Sequence, residues 1–526
     1  MTRIPLILTL LALLPASALA QSTWYVPDDF ATIQLGIDGS SNGDTVIVRD
    51  GTYVENINFN GMAIILKSEN GPATTIIDGN QAGSVVIFES GEGSYSVFEG
   101  FTVTNGNAIQ GGGMKCISSS PTLDNCTLTN NTAYTPVVSE VSYGGGMYCW
   151  RSSPTLDNCT FTNNTAYYGG GMYCWRSSPT LDNCTFTNNT ADNGGGMTSY
   201  GNSPTLENCM FTNNTAGNGG GMYSIYSSPT LENCIFTNNT ADNGGGGMSS
   251  YNASFPTLGN CIFTNNTADN GGGFYCASAS TLKNCMFTNN TAGTWGGGMY
   301  CRYSSSLTLK NCTFTNNMAG TQGGGINCAS ASTLDNCILW DNHANVGGSE
   351  IYTNNSSPTV TYSDVKGGWS GTGNIDADPL FVDPANNDFH LLILSPCIDT
   401  GNPSSPPDAD GSPADMGAFP FEGLKLHCSP LIPGQIAHIT ATNATPNNKV
   451  WVGYSLVGGG PHSSPWGDLS LSPPITSLSP RLANSEGQMR IHRNVPSTLP
   501  IGQMVWMQAF DAGSWSLSNG ISLTVQ

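Results

Sequence analysis

The chain has 526 residues, 15 basic against 36 acidic, and a formal net charge of −21, a balance that excludes a phosphate-binding surface for nucleic acid. Charged residues are only 10% of the chain, while glycine alone contributes 65 residues; ordinary globular domains carry about 25% charged residues, so this is a repeat composition. Past the first twenty residues no stretch reaches the roughly 18 apolar residues of a membrane-crossing helix, and none is expected.

Residues 1–20 read as a cleaved secretory leader: Arg3, an apolar run from Ile4 to Leu14, then Ala18-Leu19-Ala20 before Gln21. The expected product is therefore secreted or displayed at the cell surface. Residues 21–110 form an N-terminal cap and first turns, with a short amphipathic helix expected over Ala31–Asp38 to cover the open end of a stack.

Residues 111–348 are a repeat. The stretch 144–166 recurs letter for letter at 169–191, and the TLxNC cysteines from Cys126 to Cys337 are spaced 33, 25, 25, 25, 27, 24, 27 and 25. Within a unit, Met-Tyr-Cys-Trp and Cys-Thr-Phe-Thr alternate apolar with polar, which is the period of a half-buried strand. Burying Met147, Leu156, Cys159 and Phe161 yields roughly 1.5 to 3 kcal/mol apiece. Ordering the unit costs on the order of 1 to 2 kcal/mol per residue, so a single copy cannot fold. Copies must stack, giving an all-β fold: a right-handed parallel β-helix solenoid with a rise near 4.8 Å per turn. Residues 349–423 are terminal turns and a closing cap. From 424 to 526 the repeat stops and short runs at Ile436–Thr442, Val450–Tyr454, Met504–Ala509 and Ile521–Val525 predict a small β-sandwich.

Stacking turns every repeated residue into a file. Asn158, Asn183 and Asn208 predict an amide ladder, as do Asn164, Asn189 and Asn214. Cys159, Cys184 and Cys209 predict a file of small buried thiols. Asp124, Asp157, Asp182, Glu207 and Glu232 form an acidic file in which each neighbouring pair repels by roughly 0.9 kcal/mol in water; hydration or a divalent cation relieves it, and Lys283 and Lys310 later interrupt it. The aromatic file with its arginines, Tyr148, Trp150, Arg151, Tyr173, Trp175, Arg176 and Tyr223, points outward and is the candidate binding face. Packing of rings from turn to turn is the competing reading. One enlarged loop, Tyr134–Tyr143, interrupts the series.

Phe161-Thr-Asn-Asn164 followed by Gly169-Gly-Gly-Met172, recurring across 111–348, resembles the FxxN and GGA-aliphatic repeats of polymorphic outer membrane proteins of the chlamydial type, with glycine in place of the usual alanine. That resemblance implies a surface-displayed adhesin associated with the cell outer membrane. Ala31–Asp38, Gly43–Val48 and Asp50–Tyr53 resemble the start of pectin-lyase-like β-helix proteins, and Asp376–Phe381, Ser395–Asp399 and Asp415–Phe419 resemble their closing segment.

The pectin-lyase resemblance raises polysaccharide lyase or glycoside hydrolase activity as an alternative, although fold does not confer chemistry. Such enzymes need a placed base or a carboxylate pair. The basic residues of the repeat are few, and Arg151 and Arg176 sit in identical copies, which suits a repeated surface better than one catalytic centre. No catalytic residue is assigned. Asp408, Asp410 and Asp415 form a Ca2+-compatible turn without the full spacing of a loop site, and no other cofactor is expected. The resulting expectation is a monomeric, non-enzymatic scaffold that binds a glycan or a surface protein.

Overall fold

The computed structural model describes residues 21–526 except 138–139, 303–306, 329–331, 354–356, 410, 422, 465–466 and 515. The expected leader and the tip of the enlarged loop lie outside the described residues.

The unit folds as four short strands per turn. In one copy these are Met147–Trp150, Thr155–Asp157, Thr160–Thr162 and Thr165–Tyr168. Each pairs in parallel and in register with its own copy one turn on, so that Met147 meets Met172, Leu156 meets Leu181, Phe161 meets Phe186 and Ala166 meets Ala191. Repetition builds four parallel sheets, here named for their inward residue: a leucine sheet of 14 strands, a phenylalanine sheet of 13, a methionine sheet of 12 and an alanine sheet of 10. The chain is thus a parallel β-solenoid of about 13 turns. The inward leucines, phenylalanines, methionines and cysteines form one continuous core. Phenylalanine rings at 161, 186, 211 and 236 stack with centroids 4.7 Å apart, the spacing of neighbouring strands.

Two local rules make each turn close. Corners between strands require left-handed backbone, supplied by Asn158 (φ 51°), Asn163 (φ 55°) and Gly169 (φ 65°) and their copies; asparagine and glycine adopt it at least cost. The last glycine of each Gly-Gly-Gly is demanded by its neighbours. A Cβ on Gly171 would lie 2.5 Å from the Gly196 carbonyl oxygen and 2.8 Å from the Phe186 ring.

The expected amide ladder is continuous in only one of the two asparagine files; the other makes isolated amide pairs, such as Asn284 with Asn260 at 3.0 Å. Asn164 is fully buried, and its backbone N–H and Nδ2–H both donate to Asn189 Oδ1, at 3.0 and 3.1 Å. Its second Nδ2 hydrogen goes to the Leu128 carbonyl at 2.8 Å. The same bonds recur at Asn189 and Asn214 and continue through Asn317 to Asn342. Asn158, Asn183 and Asn208 are instead exposed. Asn208 reaches sideways to Asp182 Oδ1 at 2.9 Å and accepts from Asn233 at 3.3 Å, so the common property of this file is its left-handed corner. The cysteine file is buried as expected. Cys159, Cys184 and Cys209 are thiols, each donating to the carbonyl two residues earlier at 3.2 Å.

A seven-residue helix, Ile33–Gly39, forms inside the predicted segment, with the Thr32 hydroxyl accepting from Leu35 N–H. It buries Ile33 and Ile37 against the first strands. At the other end, residues 376–421 run back across the outer face of the phenylalanine sheet. Ala418 N–H donates to Thr313 Oγ1 (2.9 Å) and Asn402 N–H to Asn336 Oδ1 (2.6 Å). Met286 is therefore 2% exposed, whereas Met210, which lies in the same file, is 42% exposed. Beyond 424 the chain forms small antiparallel sheets, one of three strands and one of six, which share an apolar cluster that includes Ile439, Val452, Met489 and Met507. No helix among the described residues is long and apolar enough to cross a membrane.

Candidate binding faces

The outward residues of the methionine sheet divide into two files with different fates. Tyr148 and Tyr173 are 2% and 6% exposed, which corrects the expectation that they present open rings, and Tyr275 and Tyr300 farther along the file are 5% and 8% exposed. The cause is local. Tyr143 and Tyr168, at the end of the adjoining sheet, fold over the start of this file, placing the Tyr143 ring 4.8 Å from Tyr173 and the Tyr168 ring 6.1 Å from it, whereas Tyr251 lies 4.8 Å from Tyr275 and Trp295 5.6 Å from Tyr300. Tyr148 and Tyr173 stack at 5.8 Å. Burial pushes the Tyr148 hydroxyl up to about 12 and raises Tyr173 further. Tyr223 is half-buried, and burial pushes its hydroxyl up to about 12 as well. These tyrosines pack turn against turn.

The second file remains accessible. Trp150, Trp175 and Tyr200 are half-buried and follow one another with centroids 6.1 and 6.5 Å apart. Tyr226, 53% exposed, extends the file edge-on to Tyr200 at 5.8 Å. Arg151 and Arg176 are exposed, with guanidinium carbons 5.0 and 5.9 Å from the Trp150 and Trp175 rings. The backbone here is unusual. Arg151, Arg176 and Tyr226 hold φ near 50°, at the corner where sibling turns place Gly201 and Asn252. A non-glycine side chain in that conformation costs roughly 1 to 2 kcal/mol, so three bulky residues are kept there at a cost in stability. The products are a stripe of aromatic rings, tilted or edge-on to one another, and of guanidinium groups along the solenoid axis.

Residues 142–292 and 216–375 match a family model described as right handed beta helix region. The two spans overlap and fall within the solenoid. A search of curated proteins finds no match.

The carboxylates of the predicted Ca2+ turn serve the backbone. Asp408 Oδ2 accepts from Asp415 N–H (2.7 Å), and the Asp415 carboxylate accepts from the N–H groups of Asp399 (2.7 Å) and Phe421 (2.6 Å). Asp410 lies outside the described residues. Burial nevertheless pushes the Asp415 carboxyl up to about 6. No group of three or more His, Cys, Asp or Glu among the described residues is arranged to hold a metal ion.

The sequence places terminal turns here, but the acidic groups that they bring together were not among the predicted site residues. Gly323-Gly324-Gly325 is followed one turn later by Gly348-Ser349-Glu350, with Ile326 paired to Ile351. Among the described residues no strand pairs beyond Ile351–Thr353 in this sheet, so a side chain is tolerated at Glu350 where earlier turns need glycine. Its carboxylate takes the place of the next asparagine: Oε1 accepts Asn342 N–H at 3.2 Å, and Oε2 accepts Asn342 Nδ2–H. Glu350 thus closes the buried ladder. Burial outweighs these two donors and pushes its carboxyl up to about 7. Beside it, Asp341 replaces the corner asparagine of Asn316 and keeps its left-handed backbone (φ 59°). Asp341 pairs with Lys366, whose Nζ lies 5.3 Å from the Trp340 ring centroid. These groups line a cleft of about 560 Å³ together with His343 and Trp369. The readable signal was the change from Gly-Gly-Gly to Gly-Ser-Glu in the final copy. A separate apolar hollow of about 500 Å³, lined by Trp451, Leu471, Phe510 and Leu517, lies in the C-terminal sheets.

Proposed function

We propose that this chain is an exported, non-enzymatic binding scaffold of the adhesin kind, displayed at the cell surface, whose stripe of Trp150, Trp175, Tyr200 and Tyr226 with Arg151 and Arg176 docks on glycan or on a surface protein. The observation that carries this reading is the set of left-handed Arg151, Arg176 and Tyr226 beside an accessible ring file. Rings that recur once per turn, 5.8 to 6.5 Å apart, suit a ligand that is itself a repeat, such as a polysaccharide, because a pyranose can place a C–H face on a ring. The arginines add charge-assisted donors at the edge of the stripe.

In this reading the residues outside the stripe have supporting roles. The helix Ile33–Gly39 closes the first turn against edge-to-edge association, the segment 376–421 shields the last turns, and the C-terminal sheets form a sandwich module for sorting or attachment. The similarity of the repeats to those of polymorphic outer membrane proteins points in the same direction.

The test is the double variant Trp150→Ala with Trp175→Ala on a glycan array and on a cell-surface retention assay. Retention should fall by about tenfold or more, the usual consequence of removing buried aromatic anchors. Unchanged retention on both would reject the stripe.

A further inference from the structure

The interior of the repeat has no room for a ligand. Its side chains are fully buried, and its glycines stand against the backbone of the next turn. Room opens where the stack stops, in the cleft lined by Asp341, His343, Ser349, Glu350, Lys366 and Trp369. Its volume of about 560 Å³ falls within the usual range for small-molecule sites, about 300 to 1,000 Å³. A second hollow of about 480 Å³, lined by Trp340, Asp341 and Phe381 among others, shares Asp341 with it. Both hollows combine an aromatic side chain with hydrogen-bonding groups.

The chemistry of the lining selects the ligand. The one ammonium, Lys366, is neutralised by Asp341 and lies over Trp340, so it has little attraction left for a phosphate or carboxylate. The chain's net charge of −21 further disfavours an anion. A bare cation is not suited either, because the acids and His343 do not converge on one point. What the cleft offers is acceptors and donors in one lining with Trp369: two carboxylates whose oxygens have spare lone pairs, an imidazole and a hydroxyl. That combination matches vicinal hydroxyls against an apolar ring face.

We propose that this terminal cleft is a saccharide-binding site for a neutral, hydroxyl-rich chain, with Trp369 as its platform and Glu350, Asp341 and His343 as its hydrogen-bonding partners. The site is distinct from the aromatic stripe and does not depend on it. The acid that closes the asparagine ladder would also read the ligand, coupling occupancy of the cleft to the order of the last turn.

The experiment is calorimetric titration of the full chain with cellotetraose, chitotetraose and maltotetraose, and with tetragalacturonate as the acidic comparison. At least one neutral tetrasaccharide should bind, and Trp369→Ala should weaken it by about tenfold. Because Trp369 also packs against the core, the exposed His343→Ala provides a second variant that leaves the fold alone; it should weaken binding by about threefold with an unchanged circular dichroism spectrum. Trp150→Ala with Trp175→Ala should leave this titration unchanged, which separates it from the stripe. Absence of binding by all three neutral sugars, binding that survives both Trp369→Ala and His343→Ala, or tighter binding of tetragalacturonate would each overturn the proposal.

Discussion

The turns from Gly144 to Asn317 and the last turn, Ile338 to Trp369, are made from one unit but satisfy their polar groups in opposite ways. In the interior each buried asparagine of the Asn164 file donates to an identical asparagine one turn on, and the middle and last glycines of each Gly-Gly-Gly are held small by the backbone of the next turn. At the end no copy follows, so Glu350 accepts what the next asparagine would have accepted. The acids differ as well. Interior carboxylates such as Asp157 and Asp182 lie on the outer face of the leucine sheet, whereas Glu350, Asp364 and Asp415 are buried near the terminus. The comparison shows that a solenoid turn is constrained mainly by the turn above it. Where that constraint ends, residues with their own chemistry can be kept.

The largest expected effect tests the glycine half of this contrast. Gly171→Ala places a methyl against the Gly196 carbonyl and the Phe186 ring, with no side chain able to yield to the carbonyl, and should cost about 3 kcal/mol or more in chemical denaturation. Gly347→Ala, whose new Cβ meets nothing within 4 Å, should stay within about 0.5 kcal/mol of the parent. A smaller contrast concerns the ladder. Asn189→Ala strands two donors of Asn164 in a dry interior and should cost about 3 kcal/mol. Glu350→Ala strands the equivalent donors of Asn342 beside a cleft that water can enter, and should cost about 1 kcal/mol. Equal costs would mean that the two ends of the ladder are not physically different.

Much of the solenoid was legible because repetition amplifies weak signals. One Thr-Phe-Thr is an ambiguous strand, but the same triplet at each turn fixes register, inward face and stacking axis together. The C-terminal strands were also legible, since Ile436–Thr442 alternates cleanly and forms the strand predicted for it. The two asparagine files could not be ranked from sequence, because Asn158 and Asn164 recur equally well; what separates them is which one faces inward at a corner. The tyrosine file was misjudged for a related reason. Period two gives the side of a sheet, and Tyr148 does point outward, but alternation carries no information about Tyr143 and Tyr168 folding over it. The terminal cleft is not legible from the repeat because it depends on departures from it, at Asp341, Ser349 and Glu350.

The most direct test of the contrast between interior and end is amide hydrogen exchange at pH 5 and pH 8, corrected for intrinsic rates. Burial raises the Glu350 carboxyl from its ordinary 4.5 to about 7, and the Asp364 and Asp415 carboxyls from 3.8 to about 6. The folded end therefore holds these protons more tightly than the unfolded chain. That stabilisation is fully present below the ordinary values and is lost as pH rises through the folded ones, amounting to at most about 3 kcal/mol for Glu350. Residues around Ile338–Val365 should lose protection between pH 5 and pH 8 while Met172–Asn317 keeps its own. Uniform loss along the whole solenoid, or an end that becomes better protected at pH 8, would contradict the account.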